Sequence, residues 1–208
     1  MKNLIKLALL IVLGTAFHAQ ATAVYTNGPI GGVAHYSITG NTISDSFTVS
    51  SPTSLSSVEL GLVTFFGGVP TSMGWAIGTT FFGSEISSGT ASSLTNTFWG
   101  LYSGGGQGYT SEFSLSGSLL VPGTTYYFTL SNPVSSDGGR VSWDTNSGVG
   151  GDGPSMAEVI FLGTGAPIAS HSFTLFGPAA VPESGSTIGL LLLAGAALFG
   201  IRRFRSVA

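Results

Sequence analysis

The sequence predicts an all-β fold: a two-sheet antiparallel β-sandwich, jelly-roll-like, flanked by an N-terminal signal peptide and a short C-terminal transmembrane helix. Three observations carry this expectation. Apolar and polar residues alternate at period 2 along many short segments, the spacing of half-buried strands. No amphipathic helical period runs between Val24 and Ala180. The chain holds 32 glycines and only 7% charged residues, where an average globular domain has about a quarter. Such a composition suits short strands joined by Gly- and Ser-rich turns.

The elements follow in chain order. Residues 43–49 open the strand series. In residues 57–62, Val58, Leu60 and Leu62 share one face and Glu59 takes the other. Trp75 and Ile77 share a face in residues 74–78, and residues 80–86, 96–102 and 109–115 are further strand candidates. Pro122-Gly123 has the residues of a type II turn, because Gly takes positive φ freely at the third position. It is expected to join residues 111–120 and 125–131 as antiparallel neighbours. In the second of these, Tyr126, Phe128 and Leu130 alternate with Tyr127, Thr129 and Ser131. Asp137-Gly138-Gly139 reads as a turn before a strand over 140–143. Residues 157–162 follow, and His171, Phe173 and Leu175 then alternate with Ser172, Thr174 and Phe176.

Three regions divide the chain: residues 1–23, an ectodomain over 24–180, and a tail over 181–208. The chain has no cysteine, which excludes disulfides, zinc–thiolate sites and thiol catalysis. Charge is segregated. Lys2 and Lys6 stand at one end, Arg202, Arg203 and Arg205 at the other, and Arg140 alone lies between. The ectodomain is therefore acidic, and without clustered Lys or Arg it is a poor partner for nucleic acid.

The two ends read as addresses. Lys2 and Lys6, an apolar run over 7–13 and the sites Ala19-Gln20-Ala21 and Ala21-Thr22-Ala23 compose a secretory signal peptide, a substrate of the Sec translocon. At the other end Val181, Pro182, Glu183, Ser184 and Gly185 begin a polar stretch over 181–187. An uninterrupted apolar run over 188–201 and the basic close over 202–205 follow. Arg202, Arg203 and Arg205 place that end in the cytoplasm. The apolar run, about 14 residues or 17 counted from Gly185, is at or below the roughly 17 residues of a full membrane span, which suits a transient or processed anchor in the inner membrane.

This tripartite tail resembles the PEP-CTERM sorting signal, which membrane proteases called exosortases recognise. Most members begin with Val-Pro-Glu-Pro. Here Val181-Pro182-Glu183-Ser184-Gly185 is closer to the variant Val-Pro-Asp-Ser-Gly, with Glu183 in place of the Asp. The resemblance covers the tail alone. It implies export, exosortase processing near Pro182-Glu183, delivery to the cell surface or extracellular matrix, and association with exopolysaccharide and biofilm. The body over 43–177 also looks like an ectodomain type common beside such tails, on Val141-Ser142-Trp143-Asp144, Asn146-Ser147-Gly148 and Ser170-His171-Ser172-Phe173.

Within the ectodomain, Asp144, Asn146 and Asp152 are oxygen ligands on a Gly-rich stretch, the donor type calcium takes. The closing Glu of an EF-hand loop is absent at its spacing, and ordinary Asx-turn chemistry accounts for the same residues. Trp99, Tyr102 and Trp143 are candidates for an aromatic sugar platform, while Trp75 and Trp143 also suit a sandwich core. Glu59, Glu85, Glu112 and Glu158 fall on separate segments, and glycosidase chemistry needs two carboxyls about 5–10 Å apart. His35 and His171 are the only ectodomain histidines; His171, sharing a face with Phe173, reads as half-buried and hydrogen-bonded. No Gly-x-Ser-x-Gly elbow or His-Glu-x-x-His motif occurs. Gly104–Gly108 has no following Lys and reads as a mobile surface loop rather than a phosphate loop. The leading expectation is a non-enzymatic surface or matrix protein without a cofactor. A carbohydrate-binding module, with or without calcium, and a secreted hydrolase are the alternatives.

Overall fold

The computed structural model describes residues 21–178 apart from 33, 118, 147–156 and 162–163. The signal peptide, the sorting tail and Asp152 lie outside the described residues. Among those described, the strands are β1 (Thr22–Thr26), β2 (His35–Ser37), β3 (Thr42–Phe47), β4 (Thr53–Ser54), β5 (Ser57–Thr64), β6 (Pro70–Gly78), β7 (Ser87–Ala91) and β8 (Thr95–Leu101). There follow β9 (Gln107–Ser114), β10 (Leu119–Leu120), β11 (Tyr126–Ser135), β12 (Val141–Asp144), β13 (Ala157–Phe161), β14 (Thr164–Ile168) and β15 (Phe173–Gly177). The fold is all-β with antiparallel pairing, an arrangement that fits a sandwich.

One sheet runs β14-β13-β3-β11-β6-β7. The larger sheet, seven-stranded among the described residues, is built on β5, which pairs along its whole length with β9, itself flanked by β8, while β4 and β10 pair apart as a two-stranded ribbon. On its opposite side β5 meets two strands end to end: β15 beside Ser57–Leu60 and β12 beside Leu62–Thr64. β1 and β2 extend these two branches. The sheet therefore forks at Gly61.

Alternation explains the core. Val58, Leu60 and Leu62 of β5 and Phe113 of β9 turn inward toward Met73, Trp75 and Ile77 of β6 and Phe128 and Leu130 of β11, and all are buried. Phe128 touches Trp143 edge-on at 6.0 Å and lies 5.8 Å from Phe173, so rings of both sheets meet. Burying the Trp143 indole requires a partner for its N–H, and that N–H donates to the Ser172 carbonyl at 2.9 Å.

Two sequence expectations are corrected. Residues 80–86 form a loop, not a strand: the Gly83 N–H returns to the Thr80 carbonyl, Phe82 takes φ 62°, and the Thr79 N–H and hydroxyl both donate to Glu85. Residues 111–120 and 125–131 are not neighbours. Pro122-Gly123 does turn the chain, with Gly123 at φ 80°, but β9 belongs to the forked sheet and β11 to the other. A turn's local chemistry sets the reversal and leaves open which sheet receives the next strand. The Asp137 turn behaves as expected, its carboxylate accepting the Gly139 N–H at 2.9 Å.

Candidate functional site

The fork leaves backbone groups of two departing chains at the centre of a sheet, where each needs a partner. The chain leaves β12 through Thr145 and Asn146 and returns through Ser170 to Ser172 into β15. Thr145 bridges His171, the Ser172 N–H donates to the Asp144 carbonyl at 2.9 Å, and the Asn146 N–H donates to the Ser170 carbonyl at 3.1 Å. Side chains complete the junction. Asn27 donates to the Ser170 hydroxyl at 2.6 Å and to the His171 carbonyl at 2.7 Å, and Asn146 donates to the Asn27 carbonyl. Asp45, reaching over from β3 of the other sheet, accepts the His171 N–H at 2.6 Å and the Ser170 hydroxyl at 3.1 Å. His171 is wholly buried rather than half-buried, and its ring nitrogens make no hydrogen bond among the described residues: the ring stacks 4.6 Å from Trp143 with its Nδ1 3.5 Å from Asp45.

The outer face of the forked sheet carries a second layer. After β1, residues 28–32 cross this face as a strap. Gly61 admits the crossing: a Cβ there would stand 2.8 Å from Ile30 and 3.0 Å from the Asp144 Cβ, and would collide with the Ser172 hydroxyl. Beneath the strap Asp144 is fully buried, with its oxygens taken by three donors: the Tyr102 hydroxyl at 2.6 Å, the Gly31 N–H at 2.7 Å and the Ser172 hydroxyl at 3.2 Å. Burial holds the Asp144 carboxyl above its ordinary range despite these donors. The same burial, and then the neighbouring carboxylate, pushes the Tyr102 phenol far up, so it stays a donor. His35 is lowered by burial and by Arg140, the cation that sits 4.7 Å over the Phe65 ring.

Each residue singled out from the sequence has a definite place. Trp143 has no exposed surface and presents no ring to a ligand; core packing explains it. Tyr102 is 6% exposed and committed to Asp144, so it positions the strap rather than offering a sugar face. Trp99 is 47% exposed. It sits at the bulge of β8, between Phe98 and Gly100, the device that re-aims a strand side chain. Its ring lies against Gly32 of the strap and Gly108 of β9, and a Cβ on Gly32 would stand 2.6 Å from it. Gly104 and Gly105 form an exposed tip, but Gly106 and Gly108 are built into this layer rather than into a free loop. Asp144 and Asn146 point into separate networks, and the lone pairs of Asp144 face N–H and O–H donors instead of converging as cation ligands do. No group of three His, Cys, Asp or Glu side chains able to hold a metal occurs among the described residues.

Sequence reasoning named Glu59 and Glu112 on separate segments without bringing them together. Glu59 of β5 and Glu112 of β9 stand directly opposite in the register. Burial first, and then Glu112, raises the Glu59 carboxyl. Glu59 also lines a cleft of about 220 Å³ bounded by Pro29 and Ile30 of the strap and by Thr26 and Thr174. No local signal marks this pair, since it exists only through the β5–β9 register. Set against known proteins, the chain matches no family model, no curated protein and no solved structure.

Proposed function

We propose that this chain is an exported, non-enzymatic protein of the cell surface or extracellular matrix, delivered by a signal peptide and an exosortase-processed tail, and associated with exopolysaccharide. The observation that carries the reading is the ordered tail: Val181-Pro182-Glu183-Ser184-Gly185, then the apolar run, then Arg202, Arg203 and Arg205 at the end of the sequence. The Sec translocon, the inner membrane and the exosortase are its successive partners. The body supports the non-enzymatic part of this reading: among the described residues the two fully buried carboxylates, Asp45 through its Oδ2 and Asp144 through both oxygens, are engaged in the hydrogen bonds that hold the fork. Successive strands pass repeatedly from one sheet to the other, which favours the finer jelly-roll-like description.

The hydrolase alternative rests on Glu59 and Glu112. Directly opposed residues of an antiparallel pair have Cβ atoms about 4.5–5.5 Å apart, within reach of a retaining geometry. Both rise from one face of one sheet, however, whereas glycosidic cleavage needs carboxyls flanking the bond. The two carboxyls read better as paired acceptors in a binding surface.

The proposal is tested by fractionating host cells that express either the intact chain or a chain lacking residues 181–208. The intact chain is expected at the surface or in the matrix and the truncated chain in the periplasm. Identical distributions would remove the sorting reading.

A further inference from the structure

We infer that the outer face of the forked sheet is a binding surface for a neutral, hydroxyl-rich polysaccharide chain, with Trp99 as its stacking ring and the Glu59–Glu112 pair as its hydroxyl acceptors. This deepens the exopolysaccharide reading and rests on it.

The register defines the surface. Outward-facing residues of β8, β9 and β5 lie in rows: Thr95 opposite Glu112, which is opposite Glu59; then Thr97 opposite Thr110, which is opposite Gly61. Beyond these rows, at the same end as Gly108, Trp99 rests against Gly108 and Gly32. Thr174 continues the first row on the far side of Glu59. Trp99 and Thr95 are four residues apart on one strand, a separation of about 13 Å, which spans between two and three sugar rings of an extended glycan. The strap forms a wall along this floor: Ile30 lies over Gly61, Pro29 and Ile30 bound the cleft at Glu59, and Gly32 abuts Trp99.

The chemistry selects the occupant. Trp99 offers an exposed aromatic face that is held in place by two glycines, so little freedom is lost when a sugar C–H face stacks on it. Threonine hydroxyls both donate and accept, and carboxylates only accept. Two adjacent carboxylates repel an anionic chain such as a polyuronate and are satisfied by hydroxyl donors. The cleft at Glu59, about 220 Å³, is smaller than the roughly 300–1,000 Å³ of a pocket that engulfs a whole ligand. It takes one ring of a longer chain rather than a free small molecule. Trp75 and Trp143 are buried in the core, so Trp99 alone reports on this face.

The test uses the full chain in a detergent without a sugar headgroup. Hexasaccharides of neutral β-1,4-glucan, β-1,3-glucan, α-1,4-glucan and β-1,4-mannan are titrated beside a chitosan hexamer and an oligouronate. Binding is followed by isothermal titration calorimetry, which needs no tryptophan reporter, and in every chain that keeps Trp99 also by acrylamide quenching. The expected result is saturable binding of at least one neutral hexamer, with Trp99 protected from acrylamide and no binding of the oligouronate. Trp99→Ala should weaken that binding at least 10-fold, and Glu59→Gln with Glu112→Gln several-fold, with melting temperatures close to that of the parent because Trp99 is half exposed. Glu85→Gln, on a loop away from the floor, should bind like the parent. Binding undiminished in Trp99→Ala overturns this site while leaving exopolysaccharide association standing elsewhere on the chain. Failure of every neutral hexamer overturns the inference, as does binding confined to chitosan, which marks a cation surface, or to the oligouronate.

Discussion

Replacing Tyr102 by Phe isolates the interaction that ties the strap and the β8–β9 loop to the fork. The substitution keeps the ring that packs against Gly108 and removes only the hydroxyl that donates to Asp144 at 2.6 Å. A hydrogen bond to a charged group contributes about 1.5–3 kcal/mol, and Asp144 is fully buried, so water does not replace the lost donor. A loss of about 2 kcal/mol in a domain of this size lowers Tm by about 4–8 °C. The pH dependence follows from the direction of the Asp144 shift. Its folded pKa lies above the ordinary 3.8, so the ionised form is the disfavoured one. The stability tied to this group is fully present below pH 3.8 and is lost as pH rises through the folded value. Removing a donor raises the folded pKa further, so the deficit of Tyr102→Phe is largest at neutral pH and shrinks in acid. Thermal melts of parent and variant between pH 3 and pH 8 measure both. A change in Tm below 1 °C at pH 7, or a deficit that grows in acid, would refute the reasoning.

Three further outcomes are expected. Gly61→Ala puts a methyl group against Ile30, Asp144 and Ser172 and should cost about 1–3 kcal/mol, seen as a lower denaturation midpoint with little change in slope. Glu59→Gln should stabilise the chain by about 0.5 kcal/mol at pH 7 by relieving a like-charge cross-strand pair. Because the Glu59 pKa is raised above its usual 4.5, that gain should vanish below pH 4.5 and grow as pH rises through the folded value; a constant gain across pH would contradict it. Glu85 is held down to about 2 by the Thr79 N–H and hydroxyl. Its contribution is present above pH 4.5 and lost as pH falls through about 2, and Glu85→Gln should speed amide exchange in residues 79–85 already at pH 7.

The strands were legible wherever one face alone is apolar. Val58, Leu60 and Leu62, then Trp75 and Ile77, then Tyr126, Phe128 and Leu130 announce both the strand and its buried side, because period 2 is a local property. The Asp137 turn was legible for the same reason. Residues 80–86 misled because Thr, Phe and Ile carry strand propensity while the deciding contact, Glu85 with Thr79, is a side-chain bond. The partners of β9 and β11 were hidden, since Pro122-Gly123 reverses the chain without naming a sheet. The fork at Gly61, the seam of Asn27, Asp45, Ser170 and His171, and the Glu59–Glu112 pair all depend on residues distant in sequence. Trp99, by contrast, was named from the sequence as a candidate sugar ring; its exposure and its seat on Gly32 and Gly108 are tertiary facts.

The most direct test of the account is the intact mass of the protein recovered from the surface and matrix of its native host. The account predicts a species beginning after Ala21 or Ala23 and ending near Pro182, without the apolar run and its arginines. A full-length tail retained in the inner membrane would contradict it and leave a plain single-pass anchor.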